Sequence, residues 1–208
     1  MRRAITIFSV IATFFCLAAE DAAWLTETFP KQLITASGKK VDTETALKGK
    51  TVAVYFSASW CGPCRSFTPE LVKFHKKAAK KEKLEIVFVS SDKTSKAMMD
   101  YMKKDKMPWL AIPFGDPAIM ALKKKLKVNG IPKLVVFNSQ GKQISPNARW
   151  DIVLLGDKAP AAWKSPDYKP LTYQDAPKGN QKDSKSKVKA KTKKTKEKKQ
   201  KSKSKKNK

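Results

Sequence analysis

Apolar residues are grouped in short runs separated by charged, glycine-bearing or proline-bearing breaks. Thr51–Ser57 (TVAVYFS), Leu84–Ser90 (LEIVFVS) and Lys133–Asn138 (KLVVFN) are β-branched and aromatic with little polar alternation. That pattern predicts strands buried on both faces. Phe29–Thr35 and Lys39–Val41 flank a Ser37-Gly38 turn and predict two shorter strands, and Ser139-Gln140-Gly141-Lys142 turns the third long strand toward an antiparallel partner near Gln143–Ser145. Helical spacing fills the intervals. From Arg65 to Lys83 the apolar residues Phe67, Leu71 and Phe74 recur at i, i+4 and i+7, and Pro69 predicts a kink. Thr94–Lys104 carries a stripe of Ala97, Met98, Tyr101 and Met102, and Asp116–Leu126 opens with Asp116 as N-cap and Pro117 at the first helical position. Strands alternating with helices predict an α/β fold with a central mixed sheet covered by helices.

The two ends depart from this pattern. Arg2 and Arg3 precede an uncharged, largely apolar run from Ala4 to Leu17, followed by Ala18 and Ala19. That order predicts a secretory signal peptide over residues 1–19 and hence a secreted or periplasmic protein. The competing reading is a retained N-terminal anchor, disfavoured because the apolar run falls short of the roughly 18–20 residues that span a bilayer. At the other end Pro166, Pro170 and Pro177 mark a linker over 164–177. Residues 178–208 then hold 16 lysines against Asp183 and Glu197, a net of +14 of the chain's +27. Such a tract cannot bury enough apolar surface to offset its ordering entropy and is expected to be disordered. The folded domain is therefore expected over residues 27–163.

The candidate chemistry lies at Trp60-Cys61-Gly62-Pro63-Cys64, where a predicted strand gives way to a predicted helix. A thiolate, not a thiol, attacks a disulfide, and a helix N-terminus presents unpaired N–H groups and partial positive charge. Cys61, first of the pair, is expected to be the attacking thiolate, and Cys64, one turn further in, to displace what it captures. Pro63 suits the first turn, where its missing N–H costs nothing. Removal of Cys16 with the signal would leave two cysteines and one histidine, too few for a cysteine-rich zinc site, and Arg65 stands where haem attachment wants histidine. No metal or cofactor beyond the Cys61–Cys64 pair is expected. Asn129-Gly130-Ile131-Pro132 precedes the third strand. A cis Ile131–Pro132 bond would bring backbone beside the dithiol, but spacing does not decide between cis and trans.

YFSASWCGPCRSFTPEL at Tyr55–Leu71, KMPWLAIPF at Lys106–Phe114 and VNGIPKLVVF at Val128–Phe137 resemble the thioredoxin superfamily, and within it the tryparedoxin/nucleoredoxin branch. The resemblance runs from Phe29 to Trp163, more loosely after Ala148. It implies a thioredoxin fold and thiol–disulfide oxidoreductase activity, with Cys61 as nucleophile and Cys64 as resolving thiol. It also implies Trp60 as a lid and Ile131-Pro132 as part of a docking groove, with Gly62 and Pro63 between the cysteines. Trp109 reads as core. Two departures stand out: the branch usually has two prolines between its cysteines where this chain has Gly62-Pro63, and the buried acid of ordinary thioredoxins is here Tyr55. Glu70, Asp92 and His75 read as surface groups, as does Arg149, which in the branch occupies a position suited to an anionic thiol.

Two functions follow. The first is an extracytoplasmic reductase of protein or small-molecule disulfides, re-reduced by an upstream thiol or membrane electron donor. The second is a binding module held on an anionic surface or polymer by its lysine-rich tail. The tail has no aromatic residue for base stacking, which disfavours single-strand binding, and lysine–phosphate contacts carry no sequence specificity.

Overall fold

The computed structural model describes residues 23–176. The expected signal peptide at 1–19 and lysine-rich tail at 178–208 lie outside the described residues. A compact unit extends to Pro170. It begins with helix α1 (23–28). Then come β1 (Gln32–Ile34), β2 (Lys40–Asp42), α2 (Thr43–Leu47), β3 (Thr51–Ser57), α3 (Gly62–Ala78), β4 (Leu84–Ser90) and α4 (Ser95–Lys104). The order continues with β5 (Leu110–Ala111), α5 (Pro117–Lys125), β6 (Lys133–Phe137), β7 (Gln143–Ser145), α6 (Arg149–Leu155) and α7 (Ala159–Trp163). In the second unit, Leu171–Ala176 form one 3-10 turn, Tyr173–Asp175, whose first N–H groups are capped by Thr172.

The sheet order is β2-β1-β5-β4-β3-β6-β7. Strand β3 lies at its heart, parallel to β4 (Thr51 beside Leu84, Ser57 beside Ser90) and antiparallel to β6 (Val52 beside Phe137). Alternation along these strands separates two cores. Ala53 and Tyr55 of β3, Ile86 and Phe88 of β4, and Leu134 and Val136 of β6 share one face with Phe67, Leu71 and Phe74 of α3 and Met98, Tyr101 and Met102 of α4. Val52, Val54, Phe56, Val87, Val89 and Val135 point the other way, onto Leu25 of α1, Leu47 of α2, and Ile119 and Leu122 of α5. Both faces of β3 are thereby covered, as its uninterrupted apolar sequence predicts. This is the thioredoxin fold, a mixed central sheet flanked by helices.

Three of the sequence expectations need adjusting. Helix α3 begins at Gly62, three residues earlier than its apolar spacing indicates, because Pro63 and the cap at Cys61 open it; it contains Pro69 and ends at Ala78, short of the expected Lys83. Short elements α1, α2, β5, α6 and α7 carry no full hydrophobic period and were not expected. His75 is not a surface residue. It is buried at 8% exposure, edge-on to the Trp109 ring at 5.6 Å, with Nε2 3.7 Å from Glu85 Oε1.

Candidate functional site

Because β3 and β4 are parallel, their C-terminal ends lie side by side, and the loops that leave them are bonded together. Ser91 N donates to Ser57 O at 2.8 Å, and Trp60 Nε1 donates to Ser91 O at 3.1 Å. Asp92 Oδ1 accepts from both Ser59 N (2.9 Å) and Ser59 Oγ (2.6 Å), while Oδ2 accepts from Ser90 Oγ at 2.8 Å. Asp92 is therefore not the solvated carboxylate its sequence position indicates. At 8% exposure it is a buried acceptor for three donors and fixes the loop that carries Trp60 into Cys61.

Cys61 is the N-cap residue of α3. Its backbone is extended (φ −80°, ψ 108°), and its Sγ accepts the Cys64 N–H at 3.2 Å while Arg65 N donates to Cys61 O at 3.1 Å. The sulfur thus takes the place that a serine or aspartate oxygen takes at other helix starts, facing unpaired N–H groups and the positive end of the helix dipole. That environment favours sulfur carrying negative charge. Cys61 and Cys64 are joined as a disulfide with Cα atoms 5.2 Å apart. Cys61 retains 5% exposure and Cys64 none, so a thiolate approaching this disulfide reaches the first sulfur alone.

The rim around Cys61 is apolar and backbone-rich. Trp60 is 61% exposed, and Gly62 and Pro63 are also exposed. Ile131 packs against Ala58, Cys61 and Cys64, with its carbonyl oxygen 3.7 Å from Cys61 Sγ. The Ile131–Pro132 bond is cis, which resolves the alternative left open by spacing. The structure therefore brings Trp60, Gly62, Pro63, Ile131 and Pro132 together around the cysteines.

Arg149 is half-buried rather than exposed. Its Nη1 donates to Pro132 O at 3.1 Å and its guanidinium lies 5.7 Å from the Phe67 ring centre, so it braces the proline loop from behind. Burial pulls its pKa below the ordinary arginine value. Glu70 is exposed and pairs with Lys73 at 3.1 Å, as a surface carboxylate. His75 follows Cys64 by eleven residues on α3, roughly 16 Å of helical rise, and does not reach the sulfurs. Trp109 is core, 2% exposed.

Behind Cys64 lies a cluster that the sequence reading missed. Tyr55, Thr68, Tyr101 and Ser57 come from β3, α3 and α4, and all four are buried and bonded through their hydroxyls. Burial raises the Tyr55 and Tyr101 pKa values, so both phenols stay neutral at neutral pH. Only Tyr55 carried a signal, as the residue in place of a buried acid; the others meet it through pairing of elements far apart in the chain.

A sequence model of the thioredoxin-like family matches residues 49–143. The chain is 44% identical over 114 residues to a probable nucleoredoxin 1 of Arabidopsis thaliana, covering 54% of this chain and 19% of that protein. It is 41% identical over 120 residues to tryparedoxin of Trypanosoma brucei brucei, covering 57% of this chain and 82% of that one. It thus spans about a fifth of the nucleoredoxin but most of the tryparedoxin. Among solved structures, tryparedoxin II of C. fasciculata superposes with a TM-score of 0.60 at 37% identity, covering 64% of this chain and 93% of that one.

Proposed function

The chain belongs to the thioredoxin-like family, and from that premise we propose that it is an exported thiol–disulfide oxidoreductase that reduces disulfides through Cys61 and Cys64. The observation that carries this reading is the Cys61 sulfur at the N-cap of α3, accepting the Cys64 N–H at 3.2 Å and bonded to a sealed second sulfur.

In the reduced protein the Cys61 thiolate attacks one sulfur of the substrate disulfide. A mixed disulfide forms and the first substrate thiolate leaves. Cys64, as thiolate, then attacks the Cys61 sulfur, forming the Cys61–Cys64 bond and expelling the second substrate thiolate. Two electrons pass to the substrate, and the protons of the two cysteine thiols end on its two sulfurs. Trp60, Gly62, Pro63, Ile131 and Pro132 form the surface on which the substrate lies. An upstream thiol or membrane electron donor returns two electrons for the next cycle. Arg2, Arg3 and the apolar run behind them support export.

Insulin-disulfide reduction with a small-thiol reductant tests the activity. Cys61→Ser is expected to abolish turnover and Cys64→Ser to accumulate mixed disulfide; equal activity of Cys61→Ser and the wild type overturns the reading. Direction is tested by the equilibrium potential: about −270 mV supports a reductase, about −120 mV an oxidase. N-terminal sequencing of the exported product tests cleavage near Ala19. The tail's net charge of +14 favours a second reading, a fold concentrated on polyanions. Deletion of residues 178–208 should then remove salt-sensitive retention on anionic vesicles, and unchanged retention eliminates that role.

A further inference from the structure

The carboxylate that ordinary thioredoxins bury behind the dithiol is replaced here by Tyr55, and one arrangement of hydroxyl protons makes all four hydrogen bonds around it at once. Thr68 Oγ1 donates to Cys64 O at 3.0 Å. A threonine hydroxyl has one proton and two lone pairs. With its proton committed to Cys64 O, Thr68 Oγ1 must accept from both of its other neighbours, Tyr55 OH at 2.8 Å and Tyr101 OH at 2.6 Å. Tyr101 OH, having given its proton to Thr68, accepts from Ser57 Oγ at 3.1 Å. Every hydroxyl proton then has one destination, and they all run toward the carbonyl of the resolving cysteine. Two phenols donating into one hydroxyl polarise it and strengthen its own bond to Cys64 O.

The helix needs that bond where it occurs. Pro69, the residue after Thr68, lies inside α3 and has no N–H. The Arg65 carbonyl therefore lacks its i+4 donor, and the ladder is one rung short immediately beyond Cys64. Thr68 supplies an additional bond to the carbonyl just before the gap. The turn bearing Cys64 is thus held from the strand side by β3 and from α4, through residues 13 and 33 positions away from Thr68.

We infer that Thr68, fed by Tyr55 and Tyr101, is a positioning residue that sets the Cys64 turn for its attack on the mixed disulfide. This rests on the dithiol mechanism above and adds to it the group that aims the second sulfur. Thr68 acts through the Cys64 peptide, to whose carbonyl oxygen it donates at 3.0 Å.

The two chemical steps separate when the fully reduced protein is mixed in stopped flow with excess 5,5′-dithiobis(2-nitrobenzoate). Attack by Cys61 forms its aryl mixed disulfide and releases one aryl thiolate; attack by Cys64 on the Cys61 sulfur closes the protein disulfide and releases the second. Thr68→Val keeps the side-chain shape and removes the hydroxyl. It is expected to slow the second release about fivefold, the rate equivalent of one net hydrogen bond, with the first release within about twofold of wild type. Thr68→Ser, which keeps the hydroxyl, is expected to restore the second release. Equal slowing of both releases, no change in either, or failure of Thr68→Ser to rescue overturns the inference. Should Thr68→Val not fold, Tyr101→Phe removes one donor into Thr68 and decides the matter: selective slowing of the second release supports the inference and an unchanged second release overturns it. Absence of any aryl thiolate release from the wild type is a separate outcome, and sinks the dithiol mechanism itself.

Discussion

At the residue scale, buried polar groups govern both pH behaviour and the cost of substitution. Tyr55 and Tyr101 have pKa values raised above the usual 10.0 by burial, and Tyr168 is raised in the same direction. Below pH 10 the phenols hold their protons in both folded and unfolded chains, and their contribution to stability does not vary. Above it the unfolded chain releases protons that the folded chain keeps, so stability falls with rising pH until the folded-state phenols also ionise. Urea unfolding at pH 8 and 11 is expected to show a lower midpoint at pH 11, with a smaller difference in Tyr55→Phe; equal differences in the two proteins dismiss Tyr55 as a source. Asp92 gives a second expectation. Asp92→Ala leaves Ser59 N, Ser59 Oγ and Ser90 Oγ without their acceptor. A loss of about 2–3 kcal/mol by urea unfolding is expected, since orphaned buried donors cost more than a surface pair returns. The sequence shows an aspartate after a strand in either case. Only the side-by-side ends of β3 and β4 make it an anchor for the cysteine loop.

At the element scale, the three long strands were legible nearly to the residue because a strand buried on both faces must be apolar throughout. Helix α5 was equally clear, since Asp116 caps it by accepting from Ala118 N at 2.9 Å with Pro117 directly after. Asp116→Ala is expected to cost about 1 kcal/mol, read from the denaturation midpoint. Helix α1 was invisible because what holds it is remote. Trp24 Nε1 donates to Ser139 O across 115 positions, and the indole ring lies 5.8 Å from Phe137. Gly141 makes this docking possible. Its φ is +78°, and a Cβ there would come within 2.5 Å of the Trp24 ring. Gly141→Ala is therefore expected to destabilise by about 1–3 kcal/mol. Trp24→Ala combined with Gly141→Ala should cost less than the sum of the two, because the ring contacts at 2.5 and 2.6 Å go and only the closer approach to the residue 24 Cβ, at 2.8 Å, remains.

At the scale of the whole molecule, the C-terminal helices close the α3 side of the sheet. Asp151 of α6 is fully buried and accepts from Trp163 Nε1 at 3.0 Å and from the Tyr168 hydroxyl, and the Trp163 ring lies edge-on to Phe74 of α3 at 5.9 Å. A carboxylate so enclosed is tolerated because its donors replace water. Its presence ties Tyr168, five positions beyond Trp163, to the core. What the sequence determined by itself was the part governed by local rules: buried runs, helix periods, caps, the strand-to-helix junction at Cys61, and the charge at either end. These depend on neighbours a few positions away, so they hold whatever the distant packing. Tertiary structure alone decided the roles of His75, Asp92, Arg149 and Thr68. Whether a polar side chain is solvated or serves as a buried acceptor depends on which distant backbone or hydroxyl the packed sheet sets beside it. That choice arises only when strands and helices far apart in the chain come together.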